Sequence, residues 1–181
     1  MRTIPRTPLK ILGIDPGIAN TGYGVIDVHA GRLTPKDFGN ITTGPKTAPP
    51  LRLKHISDNV TQLIADFGIE CVILEDIFFS KNVKSAFAVG EVNGIVKLAA
   101  ANAGCPVTLY KPTQIKQAVV GYGKATKSQV QRMVQALLKL KAPPRPDHAA
   151  DALALAICHA HSYKARQRRE KYEQLVKGTS G

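Results

Sequence analysis

Short aliphatic runs bounded by turn residues recur along the chain and predict the strands of one sheet. The first run, at residues 9–14, ends in the turn Asp15-Pro16-Gly17, which is typical of a buried strand. The same criteria predict four further strands, at residues 21–28, 32–42, 70–75 and 106–110. The dipeptide Ala30-Gly31 is expected to form the hairpin tip between the second and third strands.

Apolar residues spaced three and four apart predict helices around these strands. The clearest helical stripe lies at residues 51–67, and a second one follows the capping-box sequence that starts at Thr126 and ends at Gln129. Prolines close that helix, and Asp147 opens the last one, which is predicted to end near His161. Two more helices are predicted at residues 82–102 and 112–119.

The order of these elements predicts an α/β fold. Three hairpin-linked strands are followed by helices that alternate with strands, which favours a mixed five-stranded sheet with helices on both faces. Strands one to three would be antiparallel, and strands four and five would run parallel to strand one. Strands one and four would then lie side by side in the middle, so Asp15 and Glu75, which end them, are expected to lie close together.

Those two carboxylates point to a cation site. Burying an unpaired carboxylate is costly, so such a group usually has a partner or a metal. His148 and Asp151 lie three apart and share a face near the start of the last predicted helix. Carboxylates with one imidazole suit Mg²⁺ or Mn²⁺. Two such ions, about 4 Å apart, can activate a water and stabilise the leaving oxygen in phosphodiester hydrolysis.

Each of these residues also has a purely structural interpretation. Asp15 suits a turn before Pro-Gly, and Glu75 suits a solvated strand end, as does Asp76 beside it. Asp147 is favoured as a helix N-cap, and Asp151 complements the helix dipole. The metal hypothesis is stronger because the predicted topology brings four weak signals to one place.

The charge of the chain favours a polyanionic ligand. The 181 residues include 25 Lys and Arg against 13 Asp and Glu, for a formal net charge of +12. No acid occurs from Val92 to Pro146, a stretch that holds nine basic residues. Such an acid-free basic region indicates nucleic acid first. More basic residues follow Tyr163, as the end of a helix or as a disordered arm.

The length, the hydrophobic content and the cysteines of the chain predict one cytoplasmic domain. The length and the 44% hydrophobic content suit a single core. No apolar run approaches the roughly 18 residues of a membrane span, and the N-terminus lacks a signal peptide's apolar centre. Three cysteines without metal-ligand spacing predict reduced thiols. Residues 1–8 are expected to be a flexible extension, 9–162 the folded domain and 163–181 a basic tail.

Several short motifs stand out along the chain. They are Gly13-Ile14-Asp15-Pro16-Gly17, Thr21-Gly22-Tyr23-Gly24, Leu74-Glu75-Asp76-Ile77-Phe78, Lys81-Asn82, Val119-Val120-Gly121-Tyr122-Gly123, Lys127-Ser128-Gln129-Val130 and His148-Ala149-Ala150-Asp151-Ala152-Leu153-Ala154. Together these motifs resemble one known family, the RuvC family of bacterial Holliday-junction resolvases, and the resemblance covers about residues 9–162.

The resemblance implies a ribonuclease H-like fold, a homodimer, and divalent-metal-dependent symmetric nicking of two strands at a four-way DNA junction. It also implies work beside the RuvA and RuvB branch-migration complex. Asp15, Glu75 and Asp151 match the family's catalytic acids. His148 stands where the family has a fourth acid, as in the similar nuclease domain of CRISPR effectors, and two roles remain open for it, metal ligand or base.

The resemblance also implies DNA-contacting and dimer-forming residues. Phe78 matches the aromatic residue that probes the junction, and Phe79 follows it; stacking on an unpaired base is worth about 1–3 kcal/mol. The candidate phosphate contacts are Lys116 and Lys127, which match lysines near the scissile phosphate, and more weakly Lys81, Lys124 and Arg132. Gly90 and Gly94 lie in the region used for dimer contact, although close packing on the chain's own sheet would also explain them.

Three other functions compete with junction resolution. The sequence Gly-Ile-Asp-Pro-Gly also resembles a phosphate loop of actin-like ATPases and sugar kinases, but 181 residues leave room for one of their two lobes. A DNA-binding module that has lost catalysis would lack the site's acids, which are largely present. A ribonuclease H-like nuclease with another substrate, such as an RNA–DNA hybrid, is the main alternative within the class.

Overall fold

The fold is described from a computed structural model, which covers residues 8–76 and 83–178. Its five strands form one sheet in the order β3-β2-β1-β4-β5. The strands are β1 (Leu9–Asp15), β2 (Asn20–His29), β3 (Arg32–Thr42), β4 (Cys71–Glu75) and β5 (Val107–Tyr110). Strands β1 to β3 are antiparallel, and β4 and β5 run parallel to β1, which confirms the predicted sheet.

Five helices lie in the described part of the chain. They are α1 (Pro49–Phe67), α2 (Val83–Asn102), α3 (Pro112–Val120), α4 (Lys127–Leu138) and α5 (Asp147–Gly178). The capping box predicted for α4 is present: Thr126 accepts a hydrogen bond from the Gln129 N–H, and the Gln129 side chain accepts one from the Thr126 N–H. None of these helices has an apolar stretch long enough to cross a membrane.

The last helix is longer than predicted. The sequence pattern placed its end near His161, whereas α5 continues to Gly178, so that prediction is wrong. The apolar stripe of α5 does stop near His161, but no Gly or Pro follows until Gly178. Residues with good helix propensity therefore extend the helix beyond the part that packs on the sheet.

The helices cover both faces of the sheet and create two cores. One core lies under α3, α4 and α5, and the other lies under α1 and α2. Strand residues alternate between them: Ile11 belongs to the α5 side, while Leu12 and Ile14 belong to the α1 side, all three with 0% exposure. Because side chains alternate in this way, the position of Asp15 and Glu75 along their strands determines which face of the sheet each carboxylate is on. The three cysteines are free and buried.

Candidate metal centre

The strand register makes Asp15 and Glu75 neighbours on one face. Ile14 of β1 is paired with Leu74 of β4, so the next residue on each strand lies at the same end of the sheet. Ile11 and Ile73 are in the core beneath α5. Side chains two and four positions along a strand share a face, and Asp15 and Glu75 therefore face α5.

Three glycines let α5 approach this face by backbone contact. A Cβ added to Gly13 would lie 2.0 Å from the Ala152 carbonyl oxygen, and one added to Gly22 would lie 2.1 Å from the His148 carbonyl oxygen. At Gly24 the added atom would meet the Leu153 side chain at 2.7 Å. No real side chain fits such distances. The first turns of α5 therefore sit directly on β1 and β2.

This approach gathers three potential ligands around one point. The His148 Nδ1 lies 2.6 Å from Asp15 Oδ2. One ligating atom each from Asp15, His148 and Asp151 can be chosen so that all three lie within 4.8 Å of one another. Opposite ligands of a Mg²⁺ ion are about 4.2 Å apart, slightly less than the 4.8 Å limit of this cluster, so a small shift of the side chains would let the three groups share one divalent cation.

Glu75 lies in the same cavity as this cluster. The cavity has a volume of about 220 Å³ and is lined by carboxylates, lysines and apolar side chains. Its lining residues are Asp15, Glu75, Pro112, Ile115, Lys116, Lys127, Val130, Asp151, Ala154 and Leu155. The structure thus brings together all four residues that the sequence proposed as ligands.

The electrostatics of the cavity favour a bound cation. Burial raises the pKa of Asp15, and the charge of Asp151 adds to this, while the hydrogen bond from His148 and the charge of Lys127 oppose it. Burial also raises the pKa of Glu75, and Asp15 and Asp151 raise it further, against the opposing charge of Lys116. The negative charges of ionised Asp15 and Glu75 are therefore not fully balanced by the neighbouring groups, and a divalent cation would balance them.

Lys127 connects the centre to α4. Its Nζ lies 3.0 Å from Asp151 Oδ2 and 3.6 Å from Asp147 Oδ2. The hydrogen bond with Asp151 raises the pKa of Lys127 and keeps it cationic. Lys116 is the second lysine on the cavity wall. Asp147 itself is outside the ligand cluster, and its Oδ1 accepts a hydrogen bond from Gln131 Nε2 at 3.0 Å.

Other predicted residues lie elsewhere. Lys124 and Arg132 are exposed and are not among the residues that line the cavity. The candidates Phe78, Phe79 and Lys81 lie outside the described residues. Gly90 and Gly94 are exposed on α2, and an added Cβ would meet nothing within 4 Å in the described structure. Close packing on the chain's own sheet therefore does not explain these two glycines.

The structural role of the strand glycines was not predicted from the sequence. Gly13, Gly22 and Gly24 lie inside strands, where glycine weakens the sheet unless a backbone must approach closely. The alternation of Gly22 and Gly24 along β2, together with the small residues of α5, could have predicted the close approach of this helix. Gln131 was also missed, because its role depends on how α4 packs against α5, and local sequence does not encode that arrangement.

Comparison with known proteins agrees with the resemblance seen in the motifs. The sequence model of the family described as crossover junction endodeoxyribonuclease RuvC matches residues 11–159. The protein of that name from Syntrophomonas wolfei is 49% identical over 156 residues, covering 86% of this chain and 91% of the relative. The one from Moorella thermoacetica is 48% identical over 163 residues, covering 90% and 98%.

Solved structures agree with the sequence match. Thermus thermophilus RuvC in complex with a Holliday junction substrate matches with a TM-score of 0.83 and 39% identity, over 87% of this chain and 96% of that one. The yeast mitochondrial resolvase Ydc2 shares the fold, with a TM-score of 0.65 at 12% identity, over 92% of this chain and 86% of that one. The predicted ribonuclease H-like architecture and family are both confirmed: the chain belongs to the RuvC family of crossover junction endodeoxyribonucleases.

Proposed function

We propose that the protein resolves Holliday junctions during homologous recombination and DNA repair, by paired symmetric nicks in two strands. The observation that carries this function is the convergence of Asp15, His148 and Asp151 around one point, with Glu75 in the same cavity. Family membership supplies the reaction class. The kinase alternative is dropped, and a DNA-binding module without catalysis is disfavoured because the acids are present.

The centre fits divalent cations, and we assign it two Mg²⁺ or Mn²⁺ ions. Asp15 is proposed as the shared ligand, with Glu75, His148 and Asp151 completing the ligand set. Such ions supply an activated water and neutralise charge on the phosphate and the leaving oxygen. Hydrolysis of this kind would leave 5′-phosphate and 3′-hydroxyl ends.

The basic side chains of the protein have a different proposed role from the metal ions. Lys116 and Lys127 lie on the cavity wall next to the acids, where they are placed to hold the scissile phosphate. Outside the cavity, Lys124 and Arg132 extend the positive surface. Phe78, Phe79 and Lys81, which follow β4 in sequence, are proposed to contact the junction. These contacts account for the acid-free basic stretch between Val92 and Pro146.

A homodimer provides the second active site that paired nicks require. Helix α2 is apolar on several sides, and it exposes 72% of Phe87 and 60% of Leu98. Gly90 and Gly94 leave open space beside these residues. We propose this surface as the dimer contact, because small residues allow a second helix to approach closely. We also propose that the dimer works in the cytoplasm with a RuvA–RuvB branch-migration complex.

The domain boundaries are part of the proposal. Residues 9–162 are assigned as the nuclease domain, residues 1–8 as an N-terminal extension that lies almost wholly outside the described residues, and residues 163–181 as a basic tail. The backbone of helix α5 continues through most of that tail, to Gly178. We propose that the tail adds to non-specific attraction for DNA.

A junction-cleavage assay tests the function. A synthetic four-way junction, labelled on each strand in turn, is incubated with and without Mg²⁺ or Mn²⁺, and linear duplex of the same sequence is the control. We expect metal-dependent nicks at symmetric positions in two strands and little cleavage of the duplex. Equal cleavage of duplex, or of an RNA–DNA hybrid, would contradict junction selectivity.

A single variant tests the proposed centre. Asp15→Asn removes the charge of the proposed shared ligand with little change in volume, and we expect cleavage to fall on the order of 10³-fold. Junction binding, measured by gel shift, should persist. Asp58→Asn on α1 is the matched control, because Asp58 is exposed and its carboxylate pairs with Lys54 on the same helix. Undiminished cutting by Asp15→Asn would refute the assignment.

A further inference from the structure

Asp147 is an acid beside the centre that the proposed reaction does not use. It is the first residue of α5, and its carboxylate contacts two residues of α4. Gln131 Nε2 donates to Oδ1 at 3.0 Å, and Lys127 Nζ lies 3.6 Å from Oδ2. One carboxylate is therefore held by an amide while it attracts an ammonium group.

Lys127 is shared between this acid and a proposed metal ligand. Its Nζ is 3.0 Å from Asp151 Oδ2 and somewhat further from Asp147. Without a metal ion, the ammonium partly compensates the negative charge at Asp151. A divalent cation bound by Asp151 would repel Lys127 and compete with it for the same oxygen. The lysine then needs another acceptor close to the phosphate.

We propose that Asp147 is a positioning residue, which receives Lys127 when a divalent cation takes Asp151 and so keeps that lysine beside the scissile phosphate. The capping box at Thr126 fixes the start of α4, and Gln131, one turn after Lys127, fixes the acceptor. Only the flexible lysine side chain has to move. The exchange lowers the cost of metal binding, because Lys127 leaves Asp151 for another carboxylate instead of for solvent.

The inference rests on the proposed metal centre, and it predicts coupling between Asp147 and Lys127 in metal binding. The test is a Mn²⁺ titration of the full-length protein without DNA, read by the loss of the free-ion signal in electron paramagnetic resonance. Four proteins are compared: wild type, Asp147→Asn, Lys127→Gln and the double variant. Asp58→Asn, on the opposite face of the sheet, reports the effect of removing one remote acid.

We expect Asp147→Asn to weaken Mn²⁺ binding only when Lys127 is present. In the presence of Lys127, Asp147→Asn should weaken Mn²⁺ binding by roughly two- to fivefold, the range of an exposed ion pair. In the Lys127→Gln background the same change should have an effect of less than about 1.5-fold, as should Asp58→Asn. In cleavage assays, Asp147→Asn should raise the metal concentration for half-maximal rate by a similar factor and lower the rate at saturating metal, because Lys127 then lacks its acceptor beside the phosphate.

Two outcomes overturn the inference, and they are distinguishable from failure of the proposed function. An equal loss in both backgrounds would mean that Asp147 acts only as a nearby negative charge, and no loss in either would mean that it does not act on the centre. In both cases the wild type still binds Mn²⁺ and cleaves junctions. A wild type that binds no Mn²⁺ would overturn the metal centre together with this inference.

Discussion

The Nδ1 nitrogen of His148 reaches Asp15, and this contact leaves the other ring nitrogen free to take a different role. The contact, 2.6 Å long, joins α5 to the end of β1. An imidazole at this position carries one negative charge fewer than a carboxylate and is a softer ligand. The proposed centre thus combines oxygen ligands with one nitrogen ligand, a set that suits Mn²⁺ as well as Mg²⁺.

The metal preference is the first prediction at this scale. Mn²⁺ should support junction cleavage at least as well as Mg²⁺, and His148→Asp should shift the ratio of the two rates toward Mg²⁺. The measurement is the cleavage rate across a titration of each metal. His55→Asp changes an exposed histidine of α1 and should leave the ratio unchanged. A clear Mg²⁺ preference in the wild type would contradict the prediction.

Stability provides a second prediction, at Glu75. Burial, with Asp15 and Asp151, raises the pKa of Glu75 above its ordinary value of 4.5. The folded protein then binds this proton more tightly than the unfolded chain does. The free energy of unfolding therefore falls as pH rises through the carboxyl range and on toward the folded-state pKa. Above that range, the ionised Glu75 destabilises the metal-free protein.

Glu75→Gln should remove this destabilisation and abolish cleavage. In the presence of a chelator at pH 7.5, we expect its melting temperature to exceed that of the wild type by roughly 2–4 °C. The difference should shrink at pH 4, where the wild-type carboxyl is largely protonated. Asp66→Asn, an exposed site on α1, is the control. A lower melting temperature for Glu75→Gln at pH 7.5 would count against the electrostatic argument.

At the scale of whole elements, the first turns of helix α5 touch the sheet through their backbone, while side chains such as Leu153 and Ile157 pack in the core. Gly13 and Gly22 meet the carbonyl oxygens of Ala152 and His148. The proposed ligands His148 and Asp151 are carried by the same turns of the helix. The distance between helix and sheet therefore also sets the distance between the ligands and Asp15.

Gly13→Ala tests this link between packing and chemistry. The added methyl would overlap the Ala152 carbonyl, so α5 must move, at a cost of about 1–3 kcal/mol in the free energy of unfolding. Cleavage should fall more than stability alone explains, because the ligands separate. Chemical denaturation and cleavage by the folded protein measure the two effects. Gly44→Ala is the control, because its nearest neighbour would lie at 3.8 Å; equal behaviour of the two variants would disprove the link.

The elements themselves were largely predictable from local sequence. Aliphatic runs located β1 and β4, and the capping box located the start of α4, because each signal lies within a few residues of the element that it marks. The approach of α5 to the strand glycines was not predictable, since it depends on residues more than a hundred positions apart. The continuation of α5 past His161 was missed because it has helix propensity without an apolar stripe.

At the scale of the whole molecule, the chain presents a basic surface and a helix, α2, whose outer face exposes apolar side chains. A net charge of +12 attracts DNA over a distance but does not select its shape. Shape selection requires two centres at a fixed separation, which the proposed dimer would provide. Helix α2, with its exposed Phe87 and Leu98, is the proposed dimer surface, which would set that separation.

Leu98→Glu tests the proposed dimer. A charge at the centre of an apolar contact should shift the protein to a monomer in analytical ultracentrifugation, and paired nicking should give way to single nicks. Leu51→Glu is the matched control, because Leu51 is 58% exposed on α1, against 60% for Leu98 on α2. A dimer that persists in Leu98→Glu, or dissociates equally in both variants, would place the contact elsewhere.

The glycine contacts of α5 have a consequence for which amino-acid substitutions this protein can accept. Main-chain atoms are the same in every amino acid, so a spacing set by backbone contact is less sensitive to exchanges among aliphatic neighbours of similar volume. Such exchanges in the interior should leave the mutual spacing of the reacting groups largely intact. Any side chain at Gly13 or Gly22, in contrast, should disturb that spacing directly.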